Sequence, residues 1–142
     1  MAAWTRRGVL KAAGAVAFTN GKASLANAKV MRNVLAYAKD FGALIVHQLE
    51  EPSLAADGVM NEGEVSSRLG LRGIPAAAED VMVARDIILA ELTGAHLHVA
   101  HISTAGAVRL VREAKARGVR VTAEVTPHHL LLTDQAVKDS GF

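Results

Sequence analysis

Imidazole side chains recur along this chain at places where short apolar runs end. His47 follows one such run and stands shortly before the acidic pair Glu50-Glu51. His101 ends a second run, and the pair His128-His129 follows a third. The chain contains no cysteine, so a metal site would use imidazole and carboxylate ligands. These residue types and their positions therefore predict a site for a divalent metal ion and exclude disulfides and thiolate ligands.

Short strands and longer helices alternate along the chain and would position these side chains. Apolar runs with β-branched members predict strands, whereas apolar residues at helical spacing, followed by a glycine, predict helices. Residues 50–73 are polar and contain glycine, which predicts a long loop without regular structure, of a kind that is usually functional. The predicted strands are residues 15–18, 43–46, 96–102 and 119–125, and the predicted helices are residues 26–41, 75–92 and 105–117.

Alternation of this kind favours an α/β fold in which helices cover a parallel sheet. Two architectures fit: an open doubly wound sheet and part of a (β/α)8 TIM-type barrel. No Gly-x-Gly-x-x-Gly segment follows a predicted strand, so a dinucleotide-binding sheet loses support. A complete barrel requires about 250 residues. The 142 residues are therefore expected to form a single domain that is a partial barrel of about four β/α units. In both architectures, sites lie at the C-terminal ends of the strands.

The predicted strand at residues 96–102 carries three histidines. Alternate residues of a strand face opposite sides, so His96 and His98 share one side, and His101 lies on the other if the strand is regular. We expect His101, which is nearest the C-terminal end, to face the interior of the barrel. His96 and His98 are then expected to lie beneath the helices as structural or surface residues.

Charge and hydropathy exclude two other classes of function. The net charge is +2 and the basic residues are spread along the chain, so nucleic-acid binding is not predicted. No apolar run approaches the roughly 20 residues of a membrane span. Arg6-Arg7 with the apolar residues 12–18 resembles a twin-arginine export signal, but this run is at the lower limit of length for such a signal. We therefore expect a cytoplasmic protein.

Several motifs occur in the order and spacing of one enzyme family, and together they resemble the long form of dihydroorotase, a member of the amidohydrolase superfamily. The resemblance extends from about Leu10 to the last residue. It implies a (β/α)8 barrel, a zinc cofactor and the reversible conversion of carbamoyl-aspartate to dihydroorotate in pyrimidine synthesis. The motifs are Val30-Met31-Arg32, Asn61-Glu62-Gly63-Glu64-Val65, Leu69-Gly70-Leu71, Ile74-Pro75-Ala76-Ala77-Ala78-Glu79, Arg85-Asp86, His98-Val99-Ala100-His101-Ile102-Ser103-Thr104 and Glu124-Val125-Thr126-Pro127-His128-His129-Leu130.

The resemblance also implies ligand positions, of which His101 is the one that matches directly. Asn20, in the turn Phe18-Thr19-Asn20-Gly21, stands where the family has a bridging aspartate. Gln48 stands where the family has a ligand histidine, and His47 is displaced from that position by one residue. A local bulge would be required to bring His47 into the site. His129 matches a family histidine to which we assign no role.

Three hypotheses follow from this pattern, and no catalytic residue is assigned in any of them. The family's His-x-His ligand pair and its catalytic aspartate have no counterpart here. The chain is accordingly expected to be an enzyme fragment that is inactive alone and self-associates through open strand edges. Alternatively, the neutral amides of Asn20 and Gln48 indicate a non-catalytic structural partner of aspartate transcarbamoylase. The third hypothesis is a chain without an independent function.

Overall fold

A parallel sheet is the central element of the computed structural model, which describes residues 14–21 and 23–140. The strands are β1 (Ala17–Thr19), β2 (Leu44–Gln48), β3 (Met60–Asn61), β4 (Gly73–Ile74), β5 (His96–Ala100) and β6 (Val121–Ala123). The helices are α1 (Ala28–Asp40), α2 (Pro52–Ala55), α3 (Glu64–Leu69), α4 (Ala77–Thr93), α5 (Ala105–Ala116), α6 (Pro127–Leu131) and α7 (Gln135–Asp139).

The four predicted strands form one sheet in the order β1-β2-β5-β6, and every neighbouring pair is parallel. Helices α1, α4 and α5 lie side by side, with α4 in the middle. All three contribute to the buried core on one face of the sheet. The predicted parallel sheet with outer helices is therefore confirmed. Coverage of one face by these helices fits a barrel wall better than a doubly wound sheet, which has helices on both faces.

Strand alternation decides which side chains enter this core. Ile45 on β2 and Leu97 and Val99 on β5 face the helices and are at most 7% exposed. Val121 on β6 pairs in register with Leu97 and is buried on the same side. The helices contribute most of the remaining apolar core, which includes Met31, Leu35, Ala38, Met82, Val83, Ile87, Ala90, Ala107, Val111 and Ala114.

Local signals in the sequence set the helix ends. Asn27 caps α1 by accepting a hydrogen bond from the Val30 N–H at 3.1 Å. Thr104 caps α5 through the Ala107 N–H at 3.0 Å. Gly94 ends α4 with a left-handed backbone, φ 68°, which glycine adopts without strain. As a result, the three long helices begin and end close to their predicted bounds.

The prediction of a structureless loop over residues 50–73 is wrong. This segment contains α2, α3 and a short parallel ladder between β3 and β4, with Met60 opposite Gly73. Gly73 allows the ladder to form, because a Cβ at this position would overlap the backbone of Glu62. Single turns of helix and two-residue strands carry little periodicity, so the pattern at this length could not indicate them.

No helix in the described part of the chain is long and apolar enough to cross a membrane. The twin-arginine pair Arg6-Arg7 lies outside the described residues, so its interpretation stays a prediction.

Close packing between α4 and α5 gives a test of the fold. A Cβ at Gly106 would overlap the carboxylate of Asp80, which accepts a hydrogen bond from Thr104 at 2.5 Å. Gly106→Ala should therefore displace Asp80 and cost about 1–3 kcal/mol of unfolding free energy, partly offset by about 1 kcal/mol of helix propensity. Urea unfolding followed by circular dichroism measures the difference. Gly63→Ala serves for comparison, since a Cβ there meets nothing within 4 Å and only the loss of an N-cap glycine, below about 1 kcal/mol, is expected. A stability at least equal to the parent in Gly106→Ala would show that Asp80 is not displaced.

Candidate active site

A polar cavity of about 300 Å³ opens where the C-terminal ends of β2, β5 and β6 meet the start of α4. This is the edge of a parallel sheet at which binding sites form. Its walls include imidazole, carboxylate, amide and hydroxyl groups. The lining residues are Gln48, Leu49, Glu50, Glu79, Ala100, His101, Ser103, Thr126 and His129.

His101 enters this cavity because the strand that carries it stops being regular. β5 ends at Ala100, and His101 has a left-handed backbone with φ 56°. That conformation is uncommon for a residue other than glycine. The turn brings the His101 ring beside Glu124, with 3.2 Å between Nδ1 and Oε1. Glu124 also lies 3.4 Å from Nε2 of His98, so both rings contact one carboxylate.

The prediction that His96 and His98 lie beneath the helices is wrong. Leu97 and Val99 occupy the helix side of β5, so the two histidines face the opposite side of the sheet. The hydroxyl of Thr122, on the neighbouring strand, lies within hydrogen-bond distance of His98 Nδ1 at 2.8 Å. Burial, aided by the positive charge of Arg120, lowers the pKa of His96, which favours its neutral form. The prediction assumed a regular strand up to His101, and the left-handed residue breaks that assumption.

His47 lies on the helix side of β2, where it is 2% exposed. Its Nε2 accepts a hydrogen bond from the Leu25 N–H at 2.8 Å, so the ring proton is on Nδ1. That N–H donates to Oδ2 of Asp86, a fully buried side chain on α4, at 2.6 Å. Both ring nitrogens are thus engaged by the protein. The geometry does not favour the expectation that a bulge recruits His47 as a metal ligand, because β2 remains regular through Gln48.

Arg85 extends this buried contact to the loop that follows β1. Its Nε donates to Oδ1 of Asp86 at 2.8 Å, and its Nη1 donates to the carbonyl of Ala26 at 2.8 Å. The backbone of Leu25 and Ala26 is therefore held by β2 and α4 together. We call the set Leu25, Ala26, His47, Arg85 and Asp86 the buried clamp. It fixes the end of the loop whose first residues include Asn20.

Gln48 and Asn20, the two amide side chains at ligand positions of the resemblance, lie at different places. Gln48 lines the polar cavity together with His101. Asn20 lines a separate, mostly apolar cavity between β1 and α1, and its amide donates to the Ala23 carbonyl at 3.2 Å. The structure therefore brings Gln48 and His101 together but does not bring Asn20 to them. A ligand role for Asn20 stays a prediction.

The acidic pair after β2 divides between two roles. Glu50 lines the cavity. Glu51 instead caps α2, accepting hydrogen bonds from the Ser53 hydroxyl and the Leu54 N–H, and these bonds lower its pKa. Its own N–H donates to the carbonyl of Ala78 at 2.8 Å, which attaches this loop to the start of α4. One carboxylate of the pair is therefore available to the cavity.

Two important residues, Asp86 and Glu79, occur within the family motifs of the sequence, but the sequence assigned no role to either. Asp86 is an acidic residue at a core position of α4, which indicates a buried partner. Glu79 lines the cavity and closes one of the family motifs, Ile74 to Glu79. Its carboxylate accepts hydrogen bonds from the turn after His101.

The donor set of this segment does not by itself fit a divalent metal ion. Within residues 14–21 and 23–140, no group of three or more histidine, aspartate or glutamate side chains could hold one. His101 is an imidazole in the cavity, and its neighbour Gln48 is a neutral amide. A catalytic zinc usually has three protein ligands and a water. Further ligands would have to come from outside the described residues.

The sequence and the fold of this chain are similar to those of one group of known proteins. The family described as dihydro-orotase-like matches residues 3–107. A dihydroorotase from Pelotomaculum thermopropionicum is 61% identical over 130 residues, which cover 92% of this chain and 30% of that protein. One from Syntrophus aciditrophicus is 56% identical with the same coverage. The crystal structure of dihydropyrimidinase from Brevibacillus agri superposes with a TM-score of 0.69 at 26% identity, covering 92% of this chain and 30% of that one. The chain thus spans about a third of the length of these proteins.

The buried clamp predicts that substitution of Asp86 lowers the free energy of unfolding much more than substitution of the exposed Asp57. Asp86→Asn removes the charge that faces Arg85 and His47 in the interior, and breaking a buried pair in this way costs about 3–5 kcal/mol. Asp57→Asn, the matched control, removes an equally charged partner from Arg72, but both side chains are 74% exposed, so the cost should stay below about 1 kcal/mol. Urea unfolding of both variants compares them. Similar losses would show that the clamp does not stabilise the fold.

Proposed function

This chain belongs to the dihydro-orotase-like family, and we propose that it supplies consecutive β/α units of a (β/α)8 barrel that hydrolyses a cyclic amide. The proposed reaction is the reversible conversion of dihydroorotate and water to carbamoyl-aspartate, with zinc as the cofactor of the complete barrel. The observation that carries the proposal is the position of His101. It belongs to a family motif and lines the polar cavity at the C-terminal ends of the strands.

The proposed hydrolysis adds water to the ring carbonyl and breaks the ring C–N bond, so the site must bind a small polar ring. The cavity beside His101 has a volume suited to part of such a molecule and has both hydrogen-bond donors and acceptors in its wall. Because the donor set within the described residues does not complete a metal site, we propose that this chain alone is inactive. The rest of a barrel would supply the missing groups.

Open strand edges support self-association of the chain. β1 and β6 are the two ends of the sheet formed by the described residues. Unpaired edges of this kind pair with other strands. Near the β6 end, Leu130, Leu131 and Leu132 are each more than half exposed. We propose that these edges meet the remaining barrel in a complete protein, or further copies of the chain when it is alone, in the cytoplasm.

A second candidate function is favoured by the amides at positions 20 and 48. Neutral side chains bind zinc more weakly than aspartate or imidazole, and the rest of a barrel would not change the side chains at these two positions. A non-catalytic family member that serves as a structural partner of aspartate transcarbamoylase would tolerate them. The two proposals differ in one measurable property, the zinc content of the complete barrel, which is stoichiometric in the enzyme and absent in the structural partner.

The purified 142-residue chain is expected neither to bind zinc tightly nor to hydrolyse dihydroorotate. Among the described residues, no three histidine or carboxylate side chains are placed to hold one metal ion, so the chain alone should not lower the pKa of a bound water toward neutrality. Metal analysis after gel filtration measures the stoichiometry, and the absorbance of dihydroorotate follows turnover. Stoichiometric zinc together with turnover in the isolated chain would contradict the proposal that the chain alone is inactive.

Gln48 is the position at which a zinc ligand can be restored. In a complete barrel that carries this segment, Gln48→His with Asn20→Asp should raise zinc affinity by at least about tenfold, judged by the size of the losses when metal sites are perturbed. His47 is left unchanged because the buried clamp requires it. Competition with a chromogenic chelator measures the affinity. Gln135→His, an exposed change on α7, is the control for histidine addition, and an equal gain there would refute the assignment of position 48.

A further inference from the structure

The backbone of His101 requires an external restraint. A left-handed conformation in a residue with a side chain costs on the order of 1–3 kcal/mol and persists only where the surroundings impose it. Glu124, the residue that follows β6, supplies part of that restraint. The Ile102 N–H donates to the Glu124 carbonyl at 3.0 Å, and the Glu124 N–H donates to the Val99 carbonyl at 3.1 Å. These bonds hold the residues on either side of His101 from one direction.

Glu79 restrains the same turn from the other direction. The Ser103 N–H lies 3.0 Å from both carboxylate oxygens, and the Ser103 hydroxyl donates to Oε2 at 2.6 Å. The Thr104 N–H donates to Oε1 at 3.1 Å. Glu79 stands in the first turn of α4, so these bonds connect the turn after β5 to the neighbouring helix. One carboxylate thus binds two consecutive backbone N–H groups directly after Ile102.

The Thr104 hydroxyl bonds to Asp80 rather than to Glu79. It accepts from the Ala107 N–H as the cap of α5, and it has a single proton to donate. Its distance to Asp80 Oδ1 is 2.5 Å, shorter than the 3.1 Å to Glu79 Oε1, so the proton belongs with Asp80. Asp80 therefore holds the cap, and Glu79 holds the turn that contains His101.

We propose that Glu79 is a positioning residue for His101: its carboxylate imposes the left-handed backbone that turns the imidazole into the cavity beside Glu124. Without those bonds the chain after Ala100 relaxes to an ordinary backbone, and strand alternation moves the ring away from Glu124. The consequence for catalysis rests on the proposed function, whereas the consequence for the conformation of His101 does not.

Two substitutions and one control test the proposal in the 142-residue chain by NMR. Glu79→Ala removes the hydrogen bonds that the Glu79 carboxylate makes to Ser103 and Thr104, and Glu79→Gln retains one acceptor oxygen. Glu91→Ala is the matched control, since Glu91 lies on the same helix and, within the part of the chain that the structure describes, its ion pair is with the exposed Arg117. The measurement is the intraresidue NOE between the amide and α protons of His101, which is strong for a left-handed residue and weak for an extended one.

We expect the strong His101 NOE in the parent chain and in Glu91→Ala, an intermediate one in Glu79→Gln and a weak one in Glu79→Ala. An unchanged NOE in Glu79→Ala, or an equal loss in Glu91→Ala, would overturn the proposal. If Glu79→Ala unfolds the chain, Glu79→Gln decides. The spectrum of Glu79→Gln should retain the amide signals of β2, whereas the signals of residues 101–104 should shift. A uniform change of all signals, or no change, would contradict the positioning role of Glu79.

Activity in a complete barrel separates this proposal from the function it rests on. If the unsubstituted barrel turns over dihydroorotate, Glu79→Gln should lower kcat by at least about tenfold. The change in KM should be smaller, because Gln has nearly the shape of Glu and the other walls of the cavity remain while His101 is misplaced. A barrel without any turnover rejects the proposed function and leaves the NMR result for His101 intact. A normal kcat in Glu79→Ala would reject the positioning role.

Discussion

The contact on which most of this structure depends is the hydrogen bond of 2.6 Å between His47 and Asp86 in the core. Buried polar groups are costly unless their hydrogen bonds are satisfied. Here the Leu25 N–H satisfies the second ring nitrogen of His47, and Arg85 supplies the charge opposite Asp86. Strand β2, helix α4 and the loop before α1 are therefore joined at one point. Any shift of β2 by one residue would leave these groups unpaired.

The fixed register of β2 determines which side chain reaches the cavity. Since His47 is held on the helix side, period-two alternation places Gln48 on the other side, next to His101. The chain thus presents an amide where the family resemblance leads one to expect an imidazole. The buried contact that stabilises the sheet also explains why His47 is not available to the cavity, although it is adjacent in sequence to Gln48, where the family has a ligand histidine.

The cavity also depends on a local departure from regular strand structure. β5 follows alternation strictly up to Ala100, and His101 departs from it with a positive φ. Two acidic residues that are distant in sequence contact this part of the chain: Glu124 contacts the ring, and Glu79 binds the backbone N–H groups that follow. Irregular backbone of this kind is usual at functional sites, where the surroundings offset its strain.

The sequence by itself determined the alternation of strands and helices, the bounds of the long helices and the family, because these depend on periodicity, caps and motifs that lie close together in the chain. It also placed His101 at a strand end. Only the tertiary structure decided on which side of the sheet His47, His96 and His98 lie, and that residues 50–73 form short helices and strands. Those outcomes depend on contacts between distant residues, such as His47 with Asp86 and Glu79 with Ser103. A side chain's face follows from strand regularity, and a single left-handed residue, imposed by partners more than twenty positions away, is enough to reverse it.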